Sequence, residues 1–149
     1  MTLSGSPPHR PPHNILLLSC MDLRLLDEIV AFMGGIGLTN RYDHLILAGA
    51  SLGATYEGVP HWGQTFWDHL DLARSLHDVR EVFILEHRQC GAYAKILGQV
   101  FSDDDDPAEA AAHAEVVFRL KTEIQVRHPE LSVRSFLMGL RGDVIELLV

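Results

Sequence analysis

Two cysteines, Cys20 and Cys90, are all that the 149 residues contain. A small secreted domain stapled by disulfides normally carries more, so the pair asks for another use. Basic residues are also scarce, with 12 Lys and Arg against 20 Asp and Glu and a formal net charge of -8. Non-specific nucleic-acid binding and docking on an anionic membrane both rely on a basic face, so neither partner is expected. Long apolar runs are missing too. Ile15 to Leu18 is the longest near the amino end, far short of the roughly 20 residues that a membrane helix needs. No internal repeat is present, and the only low-complexity run is Asp103 to Asp106.

What the sequence does hold is enough for a core. Hydrophobic residues make up 47% and charged residues 21%, the balance of an ordinary single globular domain. Residues 1–13 carry four of the seven prolines and no apolar stretch resembling a signal peptide. They are expected to form a flexible arm, with residues 14–149 as one domain and a cytoplasmic location.

Hydrophobic patterning predicts alternating strands and helices. Strands are expected at Asn14 to Ser19, His44 to Ala48, Glu81 to Glu86 and Ser132 to Met138, with a short fifth at Val144 to Val149. Helices are expected at Asp22 to Met33, Trp62 to His77, Gly91 to Val100 and Pro107 to Arg127. In the first helix Leu23, Leu26, Ile29, Val30 and Met33 are expected to share a face, and Gly34, Gly35 and Gly37 end it. The acidic run before Pro107 suits a helix start, where the dipole favours negative charge. Such alternation implies an α/β fold, a mainly parallel sheet of four or five strands with helices on both faces.

In such sheets function gathers at the carboxyl ends of the strands. Cys20 falls just past the first strand, and His87 and Cys90 just past the third. Given the strand order 2-1-3-4, these strands are neighbours about 4.8 Å apart, and the three residues converge. Two thiolates and an imidazole suit Zn²⁺ and leave a fourth tetrahedral position for water or substrate, as in catalytic sites. The H-x-x-C spacing alone reads equally as a buried free cysteine beside a loop histidine. A Cys20–Cys90 disulfide is a further alternative.

The segment Cys20-Met21-Asp22-Leu23-Arg24 adds an acid and an arginine at alternate positions. There Arg24 can hold Asp22 by a two-pronged hydrogen bond. Singly, Asp22 also reads as a helix N-cap and Arg24 as a solvated helix residue. Together, C-x-D-x-R after the first strand and His87-Arg88-Gln89-Cys90-Gly91 after the third resemble the β-class carbonic anhydrases, over residue 14 to the carboxyl terminus. Ala48-Gly49 and the Met138-Gly139 to Gly142-Asp143-Val144 ending are similar to that family as well.

The resemblance implies a β-carbonic-anhydrase-like fold and Zn²⁺ on Cys20, His87 and Cys90. It implies an Asp22–Arg24 catalytic dyad in which Asp22 serves as a possible fourth ligand in a closed state. It implies reversible hydration of CO₂ to bicarbonate by a zinc-bound hydroxide, and a homodimer or higher homo-oligomer. Trp62, Phe66 and Trp67 are candidates for the interface or for the core.

The chain departs from the family at three places near the expected metal. Leu47 replaces the Asn of an Asn-Ala-Gly turn, and Arg88 and Gln89 stand where Thr-Asp is frequent. These changes keep open a zinc hydrolase of carbonyl sulfide or carbon disulfide, and a non-catalytic zinc-binding relative. Gly49-Ala50-Ser51-Leu52-Gly53 also fits the G-x-S-x-G elbow of serine hydrolases, although Pro60 follows closely. A turn of small residues that lets backbones approach is the favoured reading there.

Overall fold

A computed structural model describes residues 13–149. The proline-rich segment expected to be a flexible arm lies, up to residue 12, outside the described residues. Five strands form one sheet: β1 (Ile15–Ser19), β2 (Tyr42–Ile46), β3 (Glu81–His87), β4 (Ser132–Met138) and β5 (Val144–Glu146). Their order is β2-β1-β3-β4-β5, parallel except for β5, which runs antiparallel to β4. The expected neighbourhood of the first and third strands is therefore present. Ser19 pairs with Leu85, two residues before His87.

Five helices flank the sheet: α1 (Leu26–Gly35), α2 (Ser51–Thr55), α3 (Pro60–His77), α4 (Gly91–Leu97) and α5 (Pro107–Arg127). The strands β1 and β3 are buried on both faces, as central parallel strands must be. Leu16, Leu18, Val82 and Ile84 pack with Phe66 and Leu70 of α3 and Val117, Leu120 and Ile124 of α5. Ile15, Leu17, Phe83 and Leu85 point the other way and pack with Ile29, Phe32 and Met33 of α1. The period-2 alternation of a strand thus divides one apolar run between two cores.

Several expectations shift. The first helix does not begin as an α-helix at Asp22. A 3₁₀ turn covers Leu23–Leu25, and Asp22 caps it by accepting from the Arg24 backbone N–H. The tighter winding changes the phase of the helix. The buried face is Leu25, Ile29, Phe32 and Met33, while Leu23, Leu26 and Val30 are exposed. The second strand is displaced by two residues toward the amino end, because residues 47–50 turn the chain into α2. The fifth strand stops at Glu146. Helix α5 starts as the acidic run predicted, with the Asp106 side chain accepting from the Ala108 N–H and Pro107 in the first turn. Phe66 and Trp67 are core residues, and Trp62 is half-buried.

The glycines around α2 have steric work. Gly49 sits at φ +73°, a conformation that L side chains rarely adopt. A Cβ on Gly53 would stand 2.4 Å from the Ala48 carbonyl oxygen, so only glycine lets α2 fold back onto the end of β2. Ser51 between them is fully buried and presents no exposed nucleophile. The small-residue reading of this segment accounts for it. Among the described residues, no helix is long and apolar enough to cross a membrane.

Candidate metal centre

Cys20 is the first residue past β1, His87 is the last of β3, and Cys90 immediately precedes α4. Their donor atoms all lie within 4.8 Å of one another, and all three residues are buried. The two sulfurs are 4.0 Å apart, close to the roughly 3.8 Å that two thiolates bound at about 2.3 Å to one tetrahedral ion would span.

The histidine is oriented for ligation. Its Nδ1 lies 2.8 Å from the Arg88 carbonyl oxygen, an acceptor, so the ring proton sits on Nδ1. Nε2 is left with its lone pair, buried and without a hydrogen-bond partner. A buried nitrogen that gains nothing is costly, and a cation between it and the two sulfurs would satisfy it. Backbone carbonyls commonly fix metal-binding imidazoles in this way.

The thiols share their environment. Cys20 is drawn well below the ordinary thiol range, chiefly by the hydrogen bond with Cys90 against the opposing cost of burial, and the Gly49 N–H at 3.2 Å adds to it. Cys90 is pushed up in turn by its hydrogen bond with Cys20, by burial and by the charge on Cys20. Both cysteines are free, their sulfurs 4.0 Å apart and not bonded as a disulfide.

Asp22 and Arg24 form the expected two-pronged pair. Arg24 Nε donates to Oδ1 at 3.0 Å and Nη2 donates to Oδ2 at 2.7 Å. Arg24 Nη2 also donates to the Gln89 carbonyl at 3.1 Å, which ties the dyad to the loop between His87 and Cys90. The arginine holds the Asp22 carboxyl below the usual range, at about 2. Asp22 Oδ2 stands 3.7 Å from His87 Nε2, on the open side of the Cys-His-Cys cluster. Beyond it lies a cavity of about 740 Å³ lined mostly by apolar groups, among them Leu23, Tyr56, Val59, Trp62 and Ile96.

The departures near the cluster also find places. Arg88 is buried, with Nη1 donating to the Asp106 carbonyl at 3.1 Å and lying 3.5 Å from Glu109 Oε2. Gln89 sits at φ +53°, its N–H bonded to Glu109 and its amide donating to Asp104 at 3.2 Å. Leu47 is half-buried at the edge of the apolar layer under α3 and α5. Arg88 and Gln89 therefore fasten the loop to the start of α5 and put no side-chain charge beside the sulfurs.

Sequence reasoning missed the polar groups behind the cluster: Ser51, Glu86, Tyr93, Glu109 and His113, all buried. One signal was present. Glu86 ends the run Val82-Phe83-Ile84-Leu85, and a charge closing a fully buried strand calls for partners.

No established family model matches the chain. An uncharacterized protein of Rickettsia bellii is 39% identical over 132 residues, which cover 89% of this chain and 80% of that protein. An uncharacterized protein of Rickettsia conorii is 37% identical over the same length, covering 89% and 70%. The chain belongs to one family with these proteins. Among solved structures, the β-carbonic anhydrase CafD of Aspergillus fumigatus superposes with a TM-score of 0.58 at 13% identity, covering 99% of this chain and 97% of that one. A carbonic anhydrase of Glaciozyma antarctica gives 0.57 at 16% identity, covering 97% and 89%. A tetrameric β-carbonic anhydrase of Sordaria macrospora gives 0.54 at 14%, covering 95% and 82%. The chain has the β-carbonic anhydrase fold, and its Cys-His-Cys cluster could hold a metal ion.

Proposed function

We propose that this chain is a carbonic anhydrase that holds Zn²⁺ through Cys20 Sγ, His87 Nε2 and Cys90 Sγ and interconverts CO₂ and bicarbonate. The observation that carries the reading is the unpartnered Nε2 of His87, converging with two sulfurs beside a carboxylate that Arg24 clamps. When bound, zinc supplies the Lewis acidity that brings the pKa of water from 15.7 toward about 7.

The chain's own residues supply the rest. Asp22, ionised throughout the neutral range, can only accept hydrogen bonds. It therefore orients a water by accepting its proton-bearing edge, which directs the oxygen lone pair toward the substrate carbon. Arg24 keeps Asp22 in that pose and neutralises its charge. Leu23, Tyr56, Val59, Trp62 and Ile96 offer an apolar wall to a small apolar electrophile. Bicarbonate, being charged, gains little from that wall and returns to solvent. Met21 and Leu23 at the mouth are strongly exposed for their type, which supports a homo-oligomer that covers them.

Retention of the clamped Asp22–Arg24 pair favours catalysis over a purely structural metal. The apolar wall serves carbonyl sulfide and carbon disulfide as well as CO₂, so all three belong in one assay. The test is stopped-flow CO₂ hydration on purified protein with zinc determined on the same sample. Fast hydration at about one zinc per chain is the expected result. Full zinc without hydration of CO₂ would overturn the substrate, and turnover of either sulfur analogue would then replace it.

A further inference from the structure

Glu86 lies behind the cluster, on the side away from the cavity. It is 1% exposed, and every acceptor position of its carboxyl group is taken. Oε1 receives the Ser51 backbone N–H at 2.9 Å and the Ser51 hydroxyl at 2.5 Å. Oε2 receives the Tyr93 hydroxyl at 2.8 Å and lies 2.8 Å from His113 Nδ1. The Tyr93 ring stacks on His113 with centroids 4.1 Å apart. Four elements, α2, β3, α4 and α5, thus meet on one side chain.

Of these, β3 carries His87, α4 starts directly after Cys90, and α2 follows Gly49, which touches Cys20. Glu86 is covalently next to His87. Tyr93 sits in the first turn of α4, directly after Cys90, so the bond to its hydroxyl fixes the start of that helix. Ser51 opens α2, two residues after Gly49, whose N–H donates to Cys20 Sγ. The intervening Ala50 is held at φ +50°, a strained conformation that persists only when its surroundings impose it. Ordinary core packing could fill this space with hydrocarbon. A buried carboxyl group with four converging contacts is a more demanding solution, and they come from α4, which Cys90 precedes, from α2, whose preceding Gly49 bonds Cys20, and from α5.

We propose that Glu86 is a positioning residue that sets the relative placement of Cys20, His87 and Cys90, and thereby the coordination geometry and affinity of the metal. This rests on the metal reading above. The glutamate touches neither metal nor substrate and acts through Ser51, Tyr93 and the strand end. Ser51, which the motif G-x-S-x-G offers as a nucleophile, is here a two-handed donor to Glu86.

Glu86→Gln tests this with minimal change of shape. Its amide nitrogen either meets the Ser51 backbone N–H, which can only donate, or faces Tyr93 and His113, which must then turn from donating to accepting. The probe is Co²⁺, whose visible absorption reports ligand geometry, titrated into the full-length chain stripped of metal. The expected result is a shifted d–d spectrum and metal affinity lower by about 10- to 100-fold, the usual range when a group supporting a ligand is altered. Glu86→Asp should restore part of both. Tyr93→Phe and Ser51→Ala each delete a single donor and should give smaller shifts of the same kind. Those two decide the matter if Glu86→Gln does not fold.

Ile15→Ala, in the apolar layer at the amino end of β1, controls for lost stability and should leave the spectrum unchanged. Spectra and affinities of Glu86→Gln, Tyr93→Phe and Ser51→Ala identical to the parent would overturn the proposal. A parent chain that binds no Co²⁺ would instead overturn the metal reading itself.

Discussion

At the amino ends of the central strands, Ile15, Leu16, Val82 and Phe83 are packed in hydrocarbon on both faces of the sheet. At the carboxyl ends of the same strands the buried residues change character. Ser19, Ser51, Glu86, His87, Arg88, Glu109 and His113 are all buried there, against Glu81 and Ser135 elsewhere among the described residues. The apolar end is stabilised by area removed from water, a non-directional contribution that each side chain makes largely on its own. The polar end is stable only as a set, because removing one partner leaves another buried group unsatisfied. Even there, His87 Nε2, Glu109 Oε2 and His113 Nε2 lack hydrogen-bond partners. Among the described residues, the buried side-chain atoms without a hydrogen bond all belong to this end.

The contrast can be broken most forcefully at Cys90. Cys90→Ser should reduce zinc from about one per chain to a small fraction after dialysis, read by elemental analysis, with the far-ultraviolet dichroism retained. Full zinc in that variant would remove Cys90 from the ligand set. The opposite end answers to Ile15→Ala. This side chain is fully buried on α1's side of the sheet, and its loss should cost about 2–5 kcal/mol in urea unfolding. Zinc bound per folded chain should stay the same; a parallel loss of metal would show that the two ends are not separable.

A smaller effect is expected at Asp22. Asp22→Asn keeps the shape but no longer offers two accepting oxygens, so zinc should remain while CO₂ hydration falls by about 10- to 100-fold. Unchanged turnover would take Asp22 out of the mechanism. The smallest effect is one of titration. Asp22 lies at about 2 in the folded chain against an ordinary 3.8, first because of the hydrogen bonds from Arg24. A depressed carboxyl contributes stability that is complete above about pH 3.8 and is lost as the pH falls toward 2. In metal-free protein, carboxyl NMR shifts should place the Asp22 midpoint near 2, and Arg24→Ala should return it toward 3.8. An unmoved midpoint in that variant would assign the depression to another group.

Much of this was legible in the chain itself. The apolar runs at Ile15 to Leu18 and Val82 to Leu85 marked the two central strands. Asp106-Pro107 marked a helix start, because capping and the fixed φ of proline are local effects. The spacing Cys20-x-Asp22-x-Arg24 foreshadowed the clamp. The helix face was misjudged at Leu23, Leu26 and Val30 because one 3₁₀ turn rotates everything after it, and no composition rule marks where such a turn ends. Helix α2 was missed because five residues give no periodicity. The roles of Arg88 and Gln89 could not be read either, since their partners, Asp104, Asp106 and Glu109, lie 15 to 21 residues away.

The sequence by itself determined which side chains could bind a soft cation and where the chain must be extended or helical. Those properties are local: donor chemistry, periodicity and caps act over a few residues. Only the tertiary structure decided that Cys20 and Cys90, 70 residues apart, come within 4.0 Å, that His87 turns its free nitrogen toward them, and that Glu86 gathers donors from three helices behind them. These outcomes depend on strand order and on helices packing across the sheet. The free energy that selects them belongs to burial of the whole apolar core, and no short segment carries it.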